Sequence, residues 1–226
     1  MRHFEQELDL LKAKLLEMSA LVESAVYRSV QGVVEKNEEL AQQVLKNEAR
    51  INQLEIEVDN LAISLLALQQ PMAQDLRLVT AAIKINNDLE RMGDLSVSIA
   101  QSALALMREP VIRPLIDIPH IAGLVQSMVR KALDAFVSRD AELARSVLAS
   151  DDAVDNMRTA SYHELISFME NNPEHIAQAL YLLSVVRNLE RIADHSTNIA
   201  EDVLFLIKGI DVRHHNEERN VVTRPG

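Results

Sequence analysis

Apolar residues recur at helical spacing along most of the chain, and short polar or proline-containing joins interrupt them. The pattern predicts six helices, several of them longer than thirty residues, or about 45 Å at 1.5 Å per residue. Their predicted bounds are 4–35, 38–69, 72–108, 119–138, 141–170 and 173–208. Because the joins are short, consecutive helices must pack antiparallel. We therefore predict an all-α fold of two tandem antiparallel three-helix bundles.

Capping and helix-breaking residues stand at the predicted joins. Asn37, Asp140 and Asn172 precede helix starts, where a side-chain oxygen can accept a bond from an unpartnered backbone N–H. Pro71 stands where the third helix should begin, and the missing proline N–H costs nothing there. Gly209 follows the last apolar turn and is expected to end the sixth helix.

A proline-rich stretch divides the chain near its middle. REPVIRPLIDIP contains three of the six prolines and shows no helical period. The residues from Asp211 onward are polar, also lack a period, and are expected to fray. The predicted organisation is a first bundle at 1–108, a linker at 109–118, a second bundle at 119–210 and a flexible tail at 211–226.

The last helix of each half carries the same sequence pattern. IKINNDLERMGDLSVSIAQSALAL, from Ile83, aligns without gaps on LSVVRNLERIADHSTNIAEDVLFL, from Leu183. The following residues recur one hundred positions later: Leu89, Glu90, Arg91, Asp94, Ser96, Ile99, Ala100, Leu104 and Leu106. The middle helices also align at a constant offset, with Glu38 over Ala141. We interpret the chain as a duplication of one three-helix unit, in which Leu89, Ile99 and their counterparts belong to the core.

Composition and charge exclude several classes of protein. Aromatic residues make up 3% of the chain and Trp is absent, which disfavours strands. The absence of Cys excludes disulfides and thiolate sites, and a net charge of −11 disfavours binding to nucleic acid. No stretch of about 18 apolar residues occurs, and the N-terminus has no apolar signal segment. We therefore expect a cytoplasmic protein.

Paired carboxylates are the candidate functional residues. Glu90 and Asp94 are four residues apart, as are Glu190 and Asp194 in the second copy. Residues four apart share one face of a helix, with Cβ atoms about 6 Å from each other. Two carboxylates at that distance repel each other, so an ion-binding role is one explanation of the repeated pairs.

The middle helix of the second copy adds a third pair, Asp151 and Asp155. If this helix packs with its acidic face against Glu190 and Asp194, four carboxylates converge. Such a cluster must take up protons or share a cation, and oxygen ligands suit Mg²⁺, Mn²⁺, Ca²⁺, iron or Zn²⁺. The ungapped alignment puts Glu48 and Asn52 at the equivalent positions of the first copy, so the first site should be the weaker one.

Ion pairing on a solvated face is the competing explanation. Arg91 and Arg191 precede Asp94 and Asp194 by three residues, and Arg187 precedes Glu190 by three, so each can pair with an acid on its own helix. His195 is interpreted as a rim residue or an outer ligand. Spacing alone leaves both explanations open.

The chain resembles the PhoU family of phosphate-signalling regulators. The resemblance rests on QPMAQDLRLVTAAIKINNDLERMGD, NLERIAD, DDAVD and KGIDVRHH, and it extends from about residue 4 to residue 215. It implies two three-helix bundles and a non-enzymatic regulator. Such a regulator couples the phosphate ABC transporter to its sensor histidine kinase and represses the starvation response when phosphate is plentiful. It also implies a homodimer.

The resemblance further implies metal ions, with iron, zinc, manganese and magnesium as the candidates. The ligands carried over from the family's paired motifs are Asp151, Asp155, Glu190, Asp194, Glu90, Asp94 and Glu48. Asn52 departs from the pattern because it replaces an acid, and Leu95-Ser96 replaces residues that are often acidic in relatives. Two alternatives stay open: a metal-dependent phosphohydrolase, and a metal-free helical adaptor that docks through its acidic face.

Overall fold

The computed structural model of the chain describes residues 2–110 and 116–209, and these form helices and no strand. The helices are α1 (Arg2–Val34), α2 (Glu38–Gln69), α3 (Ala73–Leu106), α4 (Ile118–Ser138), α5 (Ala141–Leu148), α6 (Asp151–Asn171) and α7 (Ile176–Lys208). The all-α prediction is confirmed. None of the described helices is long and apolar enough to cross a membrane. The predicted tail at 211–226 lies outside the described residues, as do residues 111–115 of the predicted linker, so the domain bounds stay a prediction.

Three of the predicted helix ends carry the expected caps. The Asn37 side chain accepts a hydrogen bond from the backbone N–H of Leu40 at 3.2 Å. Asp140 accepts from the N–H groups of two residues in the first turn of α5. Gly209 adopts a φ of 67°, the left-handed conformation that glycine tolerates best, and its N–H bonds to the Phe205 carbonyl.

The prediction of one continuous helix over 141–170 is wrong, because the chain turns at Ala149 and Ser150 and forms α5 and α6. The Ser150 N–H bonds to the Val147 carbonyl only three residues back, and its hydroxyl donates to the carbonyl of Ser146. Serine competes in this way with the regular helical bonds. Asp151 then stands in the first turn of α6, where a carboxylate is favoured by the helix dipole.

Two predicted helix starts are also displaced. Asn172 does not cap the last helix; its amide donates to the Phe168 carbonyl and so completes the end of α6. A 3₁₀ turn at Pro173–His175 follows before α7 begins at Ile176. Helix α3 begins two residues after Pro71, with Met72 as its N-cap.

The two halves pack on each other chiefly through α3 and α7. Lys84 pairs with Asp202 at 2.8 Å, and Ser102 lies 3.5 Å from Ser184 between the two hydroxyl oxygens. Because residue numbers rise along α3 as they fall along α7, the two helices run antiparallel. Lys84 and Ser184 are equivalent positions one hundred residues apart, and so are Ser102 and Asp202. The two contacts therefore occupy equivalent places in the two halves. The packing therefore relates the halves as copies of one unit.

One continuous hydrophobic core runs through both halves. The repeated residues expected in the core are completely buried: Leu89, Met92, Ile99, Leu189, Ile192 and Ile199. Gly93 allows α3 to approach α2 closely, since a Cβ atom there would lie 3.2 Å from Cγ2 of Ile51. Glu90 of α3 lies near Glu55 of α2, and Glu190 of α7 contacts Arg158 of α6.

Candidate functional site

Four carboxylates of the second half lie at the contact between α6 and α7. Asp151 and Asp155 occupy the first turns of α6, and Glu190 and Asp194 lie near the middle of α7. The four-residue spacing puts each pair on one face of its helix, and the helices pack with those faces together. The structure thus brings together the four acids on which the sequence analysis relied most. We refer to them as the second cluster.

The carboxylates of the second cluster lie close enough together to raise the pKa values of Asp194 and Asp151. The pKa of Asp194 is raised to about 6, chiefly by its partial burial and also by the charges of Glu190, Asp151 and Asp155, while His195 opposes the shift. Burial also raises the pKa of Asp151, and the carboxylates of Asp155, Asp152 and Glu190 act in the same direction. Several negative charges therefore share a region with too little positive charge to balance them.

The cation at the second cluster comes from α6. Arg158 donates from Nη2 to Oε1 of Glu190 at 3.2 Å, and its guanidinium lies 5.7 Å from the ring centre of Tyr162. The helical spacing predicts Arg187 and Arg191, on the same helix as Glu190, as the partners of these acids, and Arg158 was not among the predicted residues. The available signal was its position three residues after Asp155, which points it toward the same face.

The first half has a similar cluster between α2 and α3, built from Glu55, Asp59, Glu90 and Asp94; we refer to it as the first cluster. Burial raises the pKa of Glu90, and the charges of Asp94 and Glu55 raise it further. Burial likewise raises the pKa of Glu55, as do Asp59 and Asp94. Arg91 opposes both shifts. It lies 3.5 Å from Asp94, as the three-residue spacing predicts, and also 3.4 Å from the adjacent Glu90.

The acid of α2 that acts on Glu90 is Glu55, whereas the ungapped alignment predicts Glu48 and Asn52 as the counterparts of Asp151 and Asp155. Glu48 lies two helical turns away, or about 10 Å along the axis. The alignment was carried from α5 into α6 without a gap, across the break at Ala149 and Ser150, and so lost its register. At the cluster the two halves are offset by one hundred residues, and Glu55 is the counterpart of Asp155.

Asn86 fixes the first cluster to the backbone of α2. This buried side chain donates from Nδ2 to the carbonyl of Glu55 and to Oδ1 of Asp59, both at 3.0 Å. The two bonds hold α2 in register with α3, because an unpaired buried amide would be costly. Asn86 and the Glu55/Asp59 pair were not among the predicted site residues, although Glu55 and Asp59 have the same four-residue spacing as Glu90 and Asp94.

His195 has a different role from the one expected. It faces α3, where Nδ1 lies 2.7 Å from Oδ1 of Asp88, and the amide of Asn198 donates to the same oxygen at 3.1 Å. Asp88 is buried, and its contacts cross from the first half to the second. His195 thus ties α7 to α3 one residue after Asp194, on the side away from α6.

The donor chemistry of both clusters fits a hard cation, since every group that could bind is a carboxylate. Within residues 2–110 and 116–209, however, no set of three or more His, Asp or Glu side chains is already arranged to hold one ion. The clusters therefore fit a metal by composition and charge, and binding one requires their side chains to rotate.

A groove of about 540 Å³ lies elsewhere, between α1 and α4. Its described lining includes Tyr27, Gln126 and the ion pair of Glu23 with Arg130, and none of the acids of either cluster. The candidate chemistry is accordingly on a helical surface and not in this cavity.

Comparison with known proteins extends the sequence resemblance. The sequence model described as "PhoU domain" matches residues 15–103 and 118–203. A Pseudomonas putida protein named phosphate-specific transport system accessory protein PhoU homolog is 40% identical over 96% of this chain and 86% of its own length. The crystal structure of PhoU from Pseudomonas aeruginosa is 39% identical with a TM-score of 0.89, and covers 92% of this chain and 100% of that one. The crystal structure of the phosphate transport system regulatory protein PhoU from Streptococcus pneumoniae is 30% identical with a TM-score of 0.84, and the match covers 92% of this chain and 99% of that one.

Proposed function

The chain belongs to the PhoU family, and we propose that it is a non-enzymatic regulator of phosphate uptake and of the phosphate-starvation response. The observation that carries this proposal is similarity over almost the full length of relatives named as accessory proteins of phosphate-specific transport. In this role it represses the response when phosphate is plentiful. Its partners are the phosphate ABC transporter and the sensor histidine kinase, and it acts as a homodimer in the cytoplasm.

A gene deletion tests the regulatory role. In phosphate-rich medium, the deletion strain should activate a phosphate-starvation reporter, and a copy of the wild-type chain should silence it again. A reporter that stays silent in the deletion strain would refute the proposal. Co-purification with the transporter or the kinase from membranes tests the partners separately. A purified chain that hydrolyses a generic phosphate ester, with activity lost in Asp194→Ala, would instead support an enzyme.

We also propose that the two clusters bind metal ions. Asp151, Asp155, Glu190 and Asp194 would hold the ion of the second half, and the first half would use Glu90, Asp94 and Glu55. The support is the excess of negative charge at each contact, which a divalent cation would offset. A bound ion would supply charge neutralisation and would cross-link two helices. Metal analysis of untagged protein, purified without chelators, tests this for iron, zinc, manganese and magnesium.

One observation favours a metal-free adaptor as the second candidate. Each cluster already has an arginine within 3.5 Å of one of its acids, and no described group of side chains is pre-arranged for an ion. In that case the acidic face itself would contact the partner. The variant Glu190→Gln/Asp194→Asn distinguishes the two candidates. If the chain is a metal-free adaptor, the wild type contains no metal and the variant loses its partner.

A further inference from the structure

The ion pair between Arg158 and Glu190 differs from the other arginine contact in the acid clusters. It joins two helices, α6 and α7, and Glu190 is the more buried partner, with 16% of its side chain exposed. Arg91, in the first cluster, contacts acids of its own helix and is 53% exposed. The position equivalent to Arg158 in the first half is Val58, which is completely buried. A cross-helix arginine is therefore a property of the second cluster.

The guanidinium of Arg158 holds Glu190 by an incomplete contact. One nitrogen bonds to Oε1 at 3.2 Å, while the buried Nε has no hydrogen-bond partner. A two-pronged arginine–carboxylate pair would be stronger and more specific. The side chain also lies beside the Tyr162 ring, which offers a favourable surface for a guanidinium that leaves the acid. The contact can therefore be exchanged at modest cost.

We propose that Arg158 is a built-in competitor for the cation of the second cluster, occupying Glu190 when no metal is bound and releasing it when metal binds. This inference rests on the proposed metal binding. It accounts for two observations together: four acids converge, yet no described set of three is arranged around an ion. Arg158 then sets the metal affinity of the second cluster, and the first cluster has no equivalent control from its middle helix.

The test measures Mn²⁺ binding by the full chain, with free Mn²⁺ counted by electron paramagnetic resonance. Every protein tested also carries Glu90→Gln and Asp94→Asn, so that the Mn²⁺ binding measured is that of the second cluster. In this background Arg158→Gln should bind Mn²⁺ about tenfold more tightly, the effect of removing a charge-assisted contact. Arg158→Lys keeps the positive charge but lacks the planar guanidinium, so its Mn²⁺ affinity should increase less than that of Arg158→Gln. Arg130→Gln, which removes an equal charge from the pair with Glu23, should change nothing.

A double-mutant cycle assigns the effect to the contact. With Glu190→Gln also present, Arg158→Gln should no longer tighten binding, because the competitor has lost its carboxylate. A thermal melt adds a readout that is independent of Mn²⁺ affinity and also checks folding. Without metal, Arg158→Gln should melt at a lower temperature than its parent, since it leaves the acids without their cation.

Three results would overturn the inference. Unchanged or weaker Mn²⁺ binding by a folded Arg158→Gln protein would do so while leaving metal binding itself intact. Tighter binding that persists in the Glu190→Gln background would show that the contact is not the cause. If neither the wild-type chain nor any variant binds Mn²⁺, the metal part of the proposed function fails, and this inference fails with it.

Discussion

Nδ1 of His195 lies 2.7 Å from Oδ1 of Asp88, and this contact joins the two halves of the molecule. It spans the α3–α7 interface, which the Lys84–Asp202 ion pair also crosses. Asp88 accepts a second bond from Asn198, so one buried carboxylate satisfies two donors of the opposite half. The same turn of α7 carries Asp194, so the contact holds the second cluster in a definite position relative to α3.

Replacing Asp88 with alanine should therefore destabilise the chain. The change removes the buried carboxylate that bonds to His195 and Asn198, at a cost of about 1–3 kcal/mol in the free energy of unfolding. Urea denaturation followed by circular dichroism measures the loss. The matched control is Asp134→Ala on the exposed face of α4, which should stay within about 0.5 kcal/mol of wild type. Equal losses in both variants would contradict the bridging role of Asp88.

Stability of the metal-free chain should fall as pH rises from about 4 to about 7. The pKa of Asp194 is raised from 3.8 to about 6 in the folded state, so between those values the folded chain binds more protons than the unfolded chain. The resulting penalty is complete above pH 6 and absent well below pH 4. A shift of this size corresponds to about 3 kcal/mol, which solvent screening of this exposed side chain reduces to about 1 kcal/mol.

The variant Asp194→Asn isolates this effect. It should be more stable than wild type at pH 7 and equal to it near pH 4, in urea denaturation with chelator present. Asp134→Asn serves as the charge-matched control and should show the pH dependence of wild type. The same pH dependence in Asp194→Asn as in wild type would show that this carboxyl is not responsible.

The register of the first cluster can be decided by two substitutions on α2 that lie two helical turns apart. With the second cluster removed by Glu190→Gln and Asp194→Asn, Glu55→Gln should weaken Mn²⁺ binding by about tenfold or more, since an acid ligand is lost. Glu48→Gln removes the same charge two turns away and should leave the Kd unchanged. Calorimetric titration measures both. The opposite order of effects would restore the register expected from the sequence.

Metal should raise the melting temperature of chelator-treated protein. At a Mn²⁺ concentration about 100 times Kd, binding to the folded state alone adds about 2.7 kcal/mol. For a chain of this length that corresponds to roughly 5–10 °C. The combined variant Asp151→Asn/Asp155→Asn/Glu190→Gln/Asp194→Asn should lose the part due to the second cluster. A Tm unaffected by both metal and chelator would exclude a structural role for the ion.

Gly123→Ala should stabilise the chain by about 0.5–1 kcal/mol, because glycine is unfavourable inside a helix. Gly123 lies within α4, and a Cβ atom there meets nothing within 4 Å. Gly93→Ala is the comparison, since its Cβ would press on Ile51 at 3.2 Å and offset the gain. Differential scanning calorimetry compares them, and an equal gain at both sites would mean that Ile51 moves freely.

Helical content, the duplicated last helix and its buried residues were predictable from the sequence because they depend on local spacing. Leu89 and Ile99 repeat at helical intervals, and the caps at Asn37 and Asp140 act within one turn of their own helix. The same local rule placed Glu190 and Asp194 on one face. These features follow from backbone geometry, which has the same period wherever the helix lies.

Which side chains meet across two helices was decided only by the tertiary structure. The break at Ala149 and Ser150 shifts the second half by three residues, about 4.5 Å along the axis, so Glu55 and not Asn52 is the counterpart of Asp155 and lies near Glu90. Arg158 reaches Glu190 through the same packing of α6 on α7. Periodicity along a chain determines which face a residue occupies. The axial position of one helix against another depends on how the whole core packs, and no single segment contains that information.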